Sequence, residues 1–203
     1  KRIPLVDLSY KTNTVFPVPI HQFDVNGFDE IQNELVDYAY DLKKKDPEGS
    51  LLSNRGGWQS KGFDVNDEND KLHQFIVNCL SQFPYIKISV KFILYGWINI
   101  NKPGDYNALH SHPTNDLSGV IWLNAPKDSG RIVFVSPFMF KAYEEMSSYT
   151  DDFKKSFNID ESYYFNPIAG RILVFPSHLQ HEVLENKSNE DRISVSFNIR
   201  LRE

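Results

Sequence analysis

The last stretch of the chain alternates without a break. Arg192, Ser194, Ser196, Asn198 and Arg200 interleave with Ile193, Val195, Phe197, Ile199 and Leu201. Successive side chains of a strand point to opposite faces, so this one has an apolar face and a polar face. The segment beginning at residue 86 shows the same period. Lys91, Ile93, Tyr95, Trp97, Asn99 and Asn101 share one face, against Phe92, Leu94, Gly96, Ile98 and Ile100 on the other. Residues 118–124 and 131–135 predict a hairpin around Pro126-Lys127-Asp128-Ser129-Gly130, and two further strands are predicted at 171–175 and 181–184.

The first part of the chain has a different rhythm. Val15, Phe16, Val18 and Ile20, broken by Pro17 and Pro19, read as an edge strand or extended arm. After Asn26-Gly27, the residues Phe28, Ile31, Leu35, Tyr38, Ala39 and Leu42 recur at helical spacing up to Lys43-Lys44-Lys45. A second helix fits Leu72, Phe75, Ile76, Cys79 and Leu80, ending before Pro84. Helices first and consecutive strands afterwards predict a mainly β fold, an antiparallel sandwich or barrel with the N-terminal helices on its outer face. The helices could cover the apolar face of the last strand. Its polar face would line a lumen in a closed barrel, or meet solvent on an open sheet.

At 203 residues the chain is expected to form one domain over 1–203, with a helical and extended part at 1–85 and a strand core at 86–203. Fifteen Phe, ten Tyr and 40% hydrophobic residues exclude a disordered chain. A net charge of −5 without a dense Lys/Arg block argues against a nucleic-acid partner or an anionic membrane surface. Cys79 is the only cysteine, which excludes an intrachain disulfide and favours a reducing compartment. No apolar run approaches the ~20 residues of a membrane span. No charged-then-apolar leader opens the chain, though Lys1 rather than Met leaves a trimmed leader open. The expectation is a soluble, cytoplasmic protein.

Candidate chemistry gathers around histidine. His110 and His112 stand two residues apart in Asn107-Ala108-Leu109-His110-Ser111-His112-Pro113, a spacing that puts both imidazoles on one strand face. His181 follows a strand and a Pro176-containing turn, which would bring it opposite the pair. Two close ligands and one distant one on antiparallel strands suit a non-haem iron site. Arg192-x-Ser194 then offers a planar guanidinium fork and a hydroxyl on one face, a pattern suited to a carboxylate. A surface ion pair with Glu190 or Asp191 is the plainer alternative for Arg192.

These features together resemble the 2-oxoglutarate- and iron(II)-dependent oxygenases, and more narrowly an oxygenase family found largely in phage and bacterial genomes. The matching segments are Ser53-Asn54-Arg55-Gly56-Gly57-Trp58-Gln59-Ser60, Trp97-x-Asn99, Pro103-Gly104, His110-x-His112-Pro113 and Leu117-Ser118-Gly119-Val120. Phe175-Pro176-Ser177-x-x-x-His181 and Asp191-Arg192-Ile193-Ser194-Val195-Ser196-Phe197-Asn198 complete the match. The first histidine cluster is also similar to that of aspartyl/asparaginyl β-hydroxylases. The resemblance implies a double-stranded β-helix (jelly-roll) barrel that uses Fe(II), 2-oxoglutarate and dioxygen to hydroxylate a substrate. It implies iron ligation by His110, His112 and His181, and binding of the 2-oxoglutarate C5 carboxylate by Arg192 and Ser194. Most relatives carry Asp or Glu where this chain has His112, so water or Asp116 stays open as the third ligand. The β-hydroxylase and prolyl-hydroxylase echoes suggest an amino-acid side chain in a peptide or protein as the substrate, although a small molecule is also possible.

Asn99 and Trp97 share the inward face and could touch the co-substrate or simply fill the barrel; Ser118 and Trp122 carry the same ambiguity. Pro137–Tyr163, rich in Phe, Tyr and Met, reads as a lid or as satellite core. His21, His73 and His178 read as structural or surface residues. Two rivals remain: a cupin-like metalloenzyme without 2-oxoglutarate, which has no need of Arg192, and a non-catalytic jelly-roll binding module.

Overall fold

The structure is a computed structural model, and it describes residues 11, 16, 18–63, 70–82, 91–138 and 148–202. Two antiparallel sheets face each other. The larger one is built from β1 (His21–Asp24), β3 (Trp58–Gln59), β4 (Lys91–Asn101), β6 (Leu117–Asn124), β9 (Arg171–Pro176) and β11 (Arg192–Arg202), in the order β1-β9-β6-β11-β4-β3. The smaller one contains β2 (Asn54–Arg55), β5 (Tyr106–His110), β7 (Ile132–Val135), β8 (Ser162–Phe165) and β10 (His181–Val183), in the order β2-β5-β10-β7-β8.

The alternation of β11 decides what lies on each side of the larger sheet. Ile193, Val195, Phe197 and Ile199 join a core with Leu94, Ile98 and Ile100 of β4 and with the helices α1 (Asp29–Lys45) and α2 (Lys71–Leu80). Burying each such side chain fully contributes about 1.5–3 kcal/mol. The helices therefore cap the outer face, as the pattern predicts. Hydrogen bonds tie them down: Gln32 Nε2 donates to the Leu123 carbonyl at 2.9 Å, and the Tyr40 hydroxyl to the Asp191 carboxylate at 2.9 Å. Asp70 starts α2 by accepting from the His73 backbone N–H at 2.8 Å, and Tyr38 donates to the same carboxylate. A second core of Trp122, Phe134, Leu173 and Phe175 fills part of the space between the sheets.

The predicted hairpin at 118–124 and 131–135 does not form. β6 pairs with β9 and β11 in the larger sheet, whereas β7 pairs with β8 and β10 in the smaller one. The Pro126–Gly130 turn is thus a crossing between sheets, and the Pro176 turn makes the same kind of crossing from β9 to β10. Crossings of this kind produce a double-stranded β-helix instead of a meander. The expected arm at 15–20 lies partly outside the described residues; the edge strand β1 begins just after it, at His21. Of the expected lid, residues 139–147 lie outside the described residues, and the remainder contains α3 (Asp151–Phe157) and the start of β8. Among the described residues no helix is long and apolar enough to cross a membrane.

Candidate metal centre

His110, His112 and His181 come together, their nearest ring nitrogens all within 4.8 Å of one another. Three local features do this. His181 opens β10 directly opposite His110 of β5, and their ring centroids are 4.4 Å apart. Between these pairs the ladder slips, because His181 to Val183 spans His110 to Asn107 on the partner strand. That bulge turns both Asn107 and His110 towards the same cavity. His112 sits just past the end of β5, with its backbone N–H on the Ser177 carbonyl at 2.8 Å. Ser177 is held in turn by the Ser118 hydroxyl at 2.9 Å, and Ser118 donates to Asn198 at 2.7 Å.

Two of the rings are oriented by backbone carbonyls. His110 Nδ1 lies 2.7 Å from the Ala108 carbonyl and His181 Nδ1 lies 2.9 Å from that of Leu179. A carbonyl can only accept, so each Nδ1 carries the proton and each Nε2 keeps its lone pair for a metal. Among the described residues no hydrogen bond to the His112 ring is found; that ring packs 5.7 Å from Trp97 instead. Burial disfavours protonation of all three. The His181 pKa is pushed down to about 3 by desolvation, with the neighbouring His110 adding to it, while Phe134 and Phe175 wall the ring. His112 is pushed down to about 4 by desolvation and then by His110, and His110 itself is lowered by desolvation. The three rings are neutral at pH 7, as metal ligation requires.

Asp116 is not part of this group. Its carboxylate accepts from the Leu201 backbone N–H at 2.8 Å, which draws it to the end of β11. His178 is exposed, and neither His21 nor His73 joins the group.

Arg192 is not a surface residue: it is 1% exposed and borders the cavity with Ser194 and Asn99. Its fork is half committed. Nη1 donates to the carbonyls of Ser129, Gly130 (3.3 Å) and Leu184 (3.0 Å), while Nη2 is buried without a partner. Gly130 makes this possible, because its φ is +89° and a Cβ there would stand 2.6 Å from Nη1 and 2.1 Å from the Leu184 carbonyl. Desolvation lowers the Arg192 pKa to about 10, against the pull of Asp105, so the side chain remains charged. Asn99 gives its Nδ2 to Ser196 at 3.0 Å and keeps a buried, unpaired Oδ1. The Ser196 hydroxyl can donate or accept, so either amide atom of Asn99 can face the cavity. Trp122 is buried between the sheets, and Ser118 is taken up by the Ser177–Asn198 chain.

Sequence reasoning missed Asn107 and Ser53, which also line the cavity, together with the carbonyls that hold the histidines and Arg192. Ser53 had a signal, since it opens the quoted 53–60 segment. The carbonyls had none, because every residue carries one.

The family model described as "Putative 2OG-Fe(II) oxygenase" matches residues 95–198, a span that holds all three histidines and Arg192. Among solved structures, a prolyl-4-hydroxylase of Pseudomonas putida is 16% identical with a TM-score of 0.60, covering 92% of this chain and 94% of that one. A prolyl hydroxylase of Trichoplax adhaerens, in complex with a hypoxia inducible factor oxygen degradation domain peptide fragment, is 11% identical with a TM-score of 0.59, over 89% and 83%. HygX of Streptomyces hygroscopicus, with nickel and 2-oxoglutarate bound, is 9% identical with a TM-score of 0.56, over 90% and 82%. At these identities the likeness shows a shared fold, the double-stranded β-helix. A comparison with curated proteins gives no match.

Proposed function

The chain belongs to this 2OG-Fe(II) oxygenase family, and from that premise we propose that it hydroxylates an amino-acid side chain in a peptide or protein, with His110, His112 and His181 holding Fe(II) and Arg192 and Ser194 holding 2-oxoglutarate. Membership implies Fe(II) and 2-oxoglutarate; the ligand set, the carboxylate anchor and the substrate are our reading. One observation carries it: a buried guanidinium with an unpartnered Nη2 lines the same cavity as three convergent neutral imidazoles. A buried cationic donor without a partner is costly, and the distal carboxylate of 2-oxoglutarate would satisfy it. A cupin-like centre gives that guanidinium nothing to do.

When bound, Fe(II) with 2-oxoglutarate and dioxygen supplies the oxidising power, and the co-substrate leaves as succinate and carbon dioxide. The protein contributes placement. His110 and His181 offer Nε2 because their Nδ1 protons are committed to backbone carbonyls, and His112 adds a third neutral nitrogen from the loop beyond β5. This donor set has no negative charge and Arg192 would take one co-substrate carboxylate, so only the other carboxylate would offset the charge of a bound dication. Ser194 stands beside Arg192 on the inward face of β11, ready to donate to the same carboxylate. Phe134, Phe175 and Trp122 exclude water from the far wall, which strengthens each of these contacts. The peptide substrate named for the Trichoplax relative supports a peptidyl substrate here by analogy of fold.

The test is succinate formed from 2-oxoglutarate by the Fe(II)-loaded protein, with and without peptide substrates. We expect succinate above that made by Fe(II) alone, and its loss in His181→Ala. Wild type that makes no succinate with any peptide contradicts the reading.

A further inference from the structure

The lumen face of β4 changes character along its length. Asn101 and Asn99 stand opposite Arg192 and Ser194, while Trp97 and Tyr95 stand opposite Ser196 and Asn198. The polar end is the one that the proposed co-substrate carboxylate would occupy. Towards the other end, the Trp97 ring lies 5.7 Å from that of His112 and 5.9 Å from that of Tyr95. Trp97 lines the cavity of the three histidines, and Tyr95 is 49% exposed. An aromatic run therefore leads from the histidine group to solvent. Tyr95 is held in place, because Gly62 leaves room for its ring; a Cβ there would stand 2.0 Å from it.

The charge of the wall is equally uneven. Among the described residues lining the cavity, Arg192 is the one permanently charged side chain, and no carboxylate is present. With Arg192 given to the co-substrate, no other described side chain lining the cavity can pair a second charge. A cationic or anionic substrate side chain brought beside His112 would be desolvated without compensation. An uncharged ring would stack on Trp97.

We propose that Trp97, backed by Tyr95, is the platform for the prime substrate and selects an uncharged, ring-bearing amino-acid side chain. This rests on the peptide-oxygenase reading above and goes beyond it by assigning the substrate class to named residues. Trp97 is then a specificity-determining residue, and the aromatic run is the route by which the side chain enters.

The test uses the full chain loaded with Fe(II) and 2-oxoglutarate under nitrogen, and blocked pentapeptides Gly-Gly-X-Gly-Gly with X as Pro, Phe, Tyr, Lys or Glu. Binding is read by calorimetry, and peptide-stimulated succinate is read after admission of air. Ring-bearing uncharged peptides should bind about tenfold tighter than the Lys and Glu peptides. Trp97→Phe, which keeps a ring face, should retain that preference, and Trp97→Ala should lose it with a raised KM. Equal or tighter binding of the charged peptides overturns the proposal, as does a Trp97→Ala protein that keeps the preference. No binding of any peptide by an enzyme that still releases succinate overturns the platform and spares the oxygenase. Ring-selective binding without succinate supports the platform and fails the oxygenase reading.

Discussion

Arg192→Lys separates what the guanidinium does for the fold from what it does for the co-substrate. In the wild type one amine holds the carbonyls of Ser129, Gly130 and Leu184, and the other is free for a ligand. A lysine ammonium carries its three N–H donors on one nitrogen, which cannot stand at both the Nη1 and the Nη2 positions, so it holds either the carbonyls or a carboxylate well. A charge-assisted hydrogen bond contributes about 1.5–3 kcal/mol, so 2-oxoglutarate affinity should fall roughly ten- to a hundredfold. Because the ammonium can still reach the carbonyls, Tm should change little. Arg192→Met loses both roles. It leaves buried carbonyls unpaired, each at a cost of ~1–3 kcal/mol, so it should lower Tm and bind 2-oxoglutarate more weakly still. The assays are anaerobic calorimetry of 2-oxoglutarate into Fe(II)-loaded protein and thermal unfolding of the same variants. A lysine variant with wild-type affinity refutes the carboxylate anchor, and a methionine variant with wild-type Tm refutes the carbonyl anchor.

His181→Ala should abolish iron retention after reconstitution, while His178→Ala, on the exposed side of the turn, should keep it; iron content of the two checks this. His112→Asp should retain iron and His112→Ala should weaken it, as measured by competition against a chelator; wild-type affinity in both would remove His112 from the ligand set. The depressed imidazole pKa values predict how the metal-free protein responds to acid. Below pH ~6.5 the unfolded chain takes up protons that the folded one refuses, and each imidazole held neutral then costs the fold ~1.4 kcal/mol per pH unit. The imidazole contribution should be flat above pH ~6.5 and fall towards about 4 and then about 3, where His112 and His181 protonate in the fold. Urea midpoints across that range check this, and His181→Gln should flatten the slope.

The jelly-roll and the gathering of its histidines were legible where side-chain type repeats with the period of the backbone. The alternation of β11 predicted an apolar face that the helices could cover and a polar face turned to a lumen or to solvent; the structure packs the helices on the first and turns the second into the cavity. The spacing of His110, His112 and His181 predicted their convergence, though His112 lies past the end of β5 and not on its face, and nothing in it showed the bulge at Asn107–His110 that aims the first of them. The Pro126–Gly130 turn misled because a local turn signal does not say whether the next strand returns to the same sheet or crosses to the facing one. β2 and β3 are two residues each, too short for any period. β8 exposes Ser162, Tyr163 and Tyr164 along the sheet edge and shows no buried alternation. The half-committed fork of Arg192 was invisible because its partners are carbonyls, brought there by a sheet crossing that the hairpin reading denied.

In the proposed site three neutral histidines would hold iron and one buried arginine would hold 2-oxoglutarate, in one cavity. Anaerobic titration of the protein with Fe(II) and then 2-oxoglutarate tests it most directly, by the weak visible charge-transfer band of the iron–2-oxoglutarate chelate. We expect a band that saturates at one equivalent of each, is absent in His181→Ala, and needs more 2-oxoglutarate in Arg192→Lys. A protein that binds Fe(II) tightly and never develops the band would contradict it.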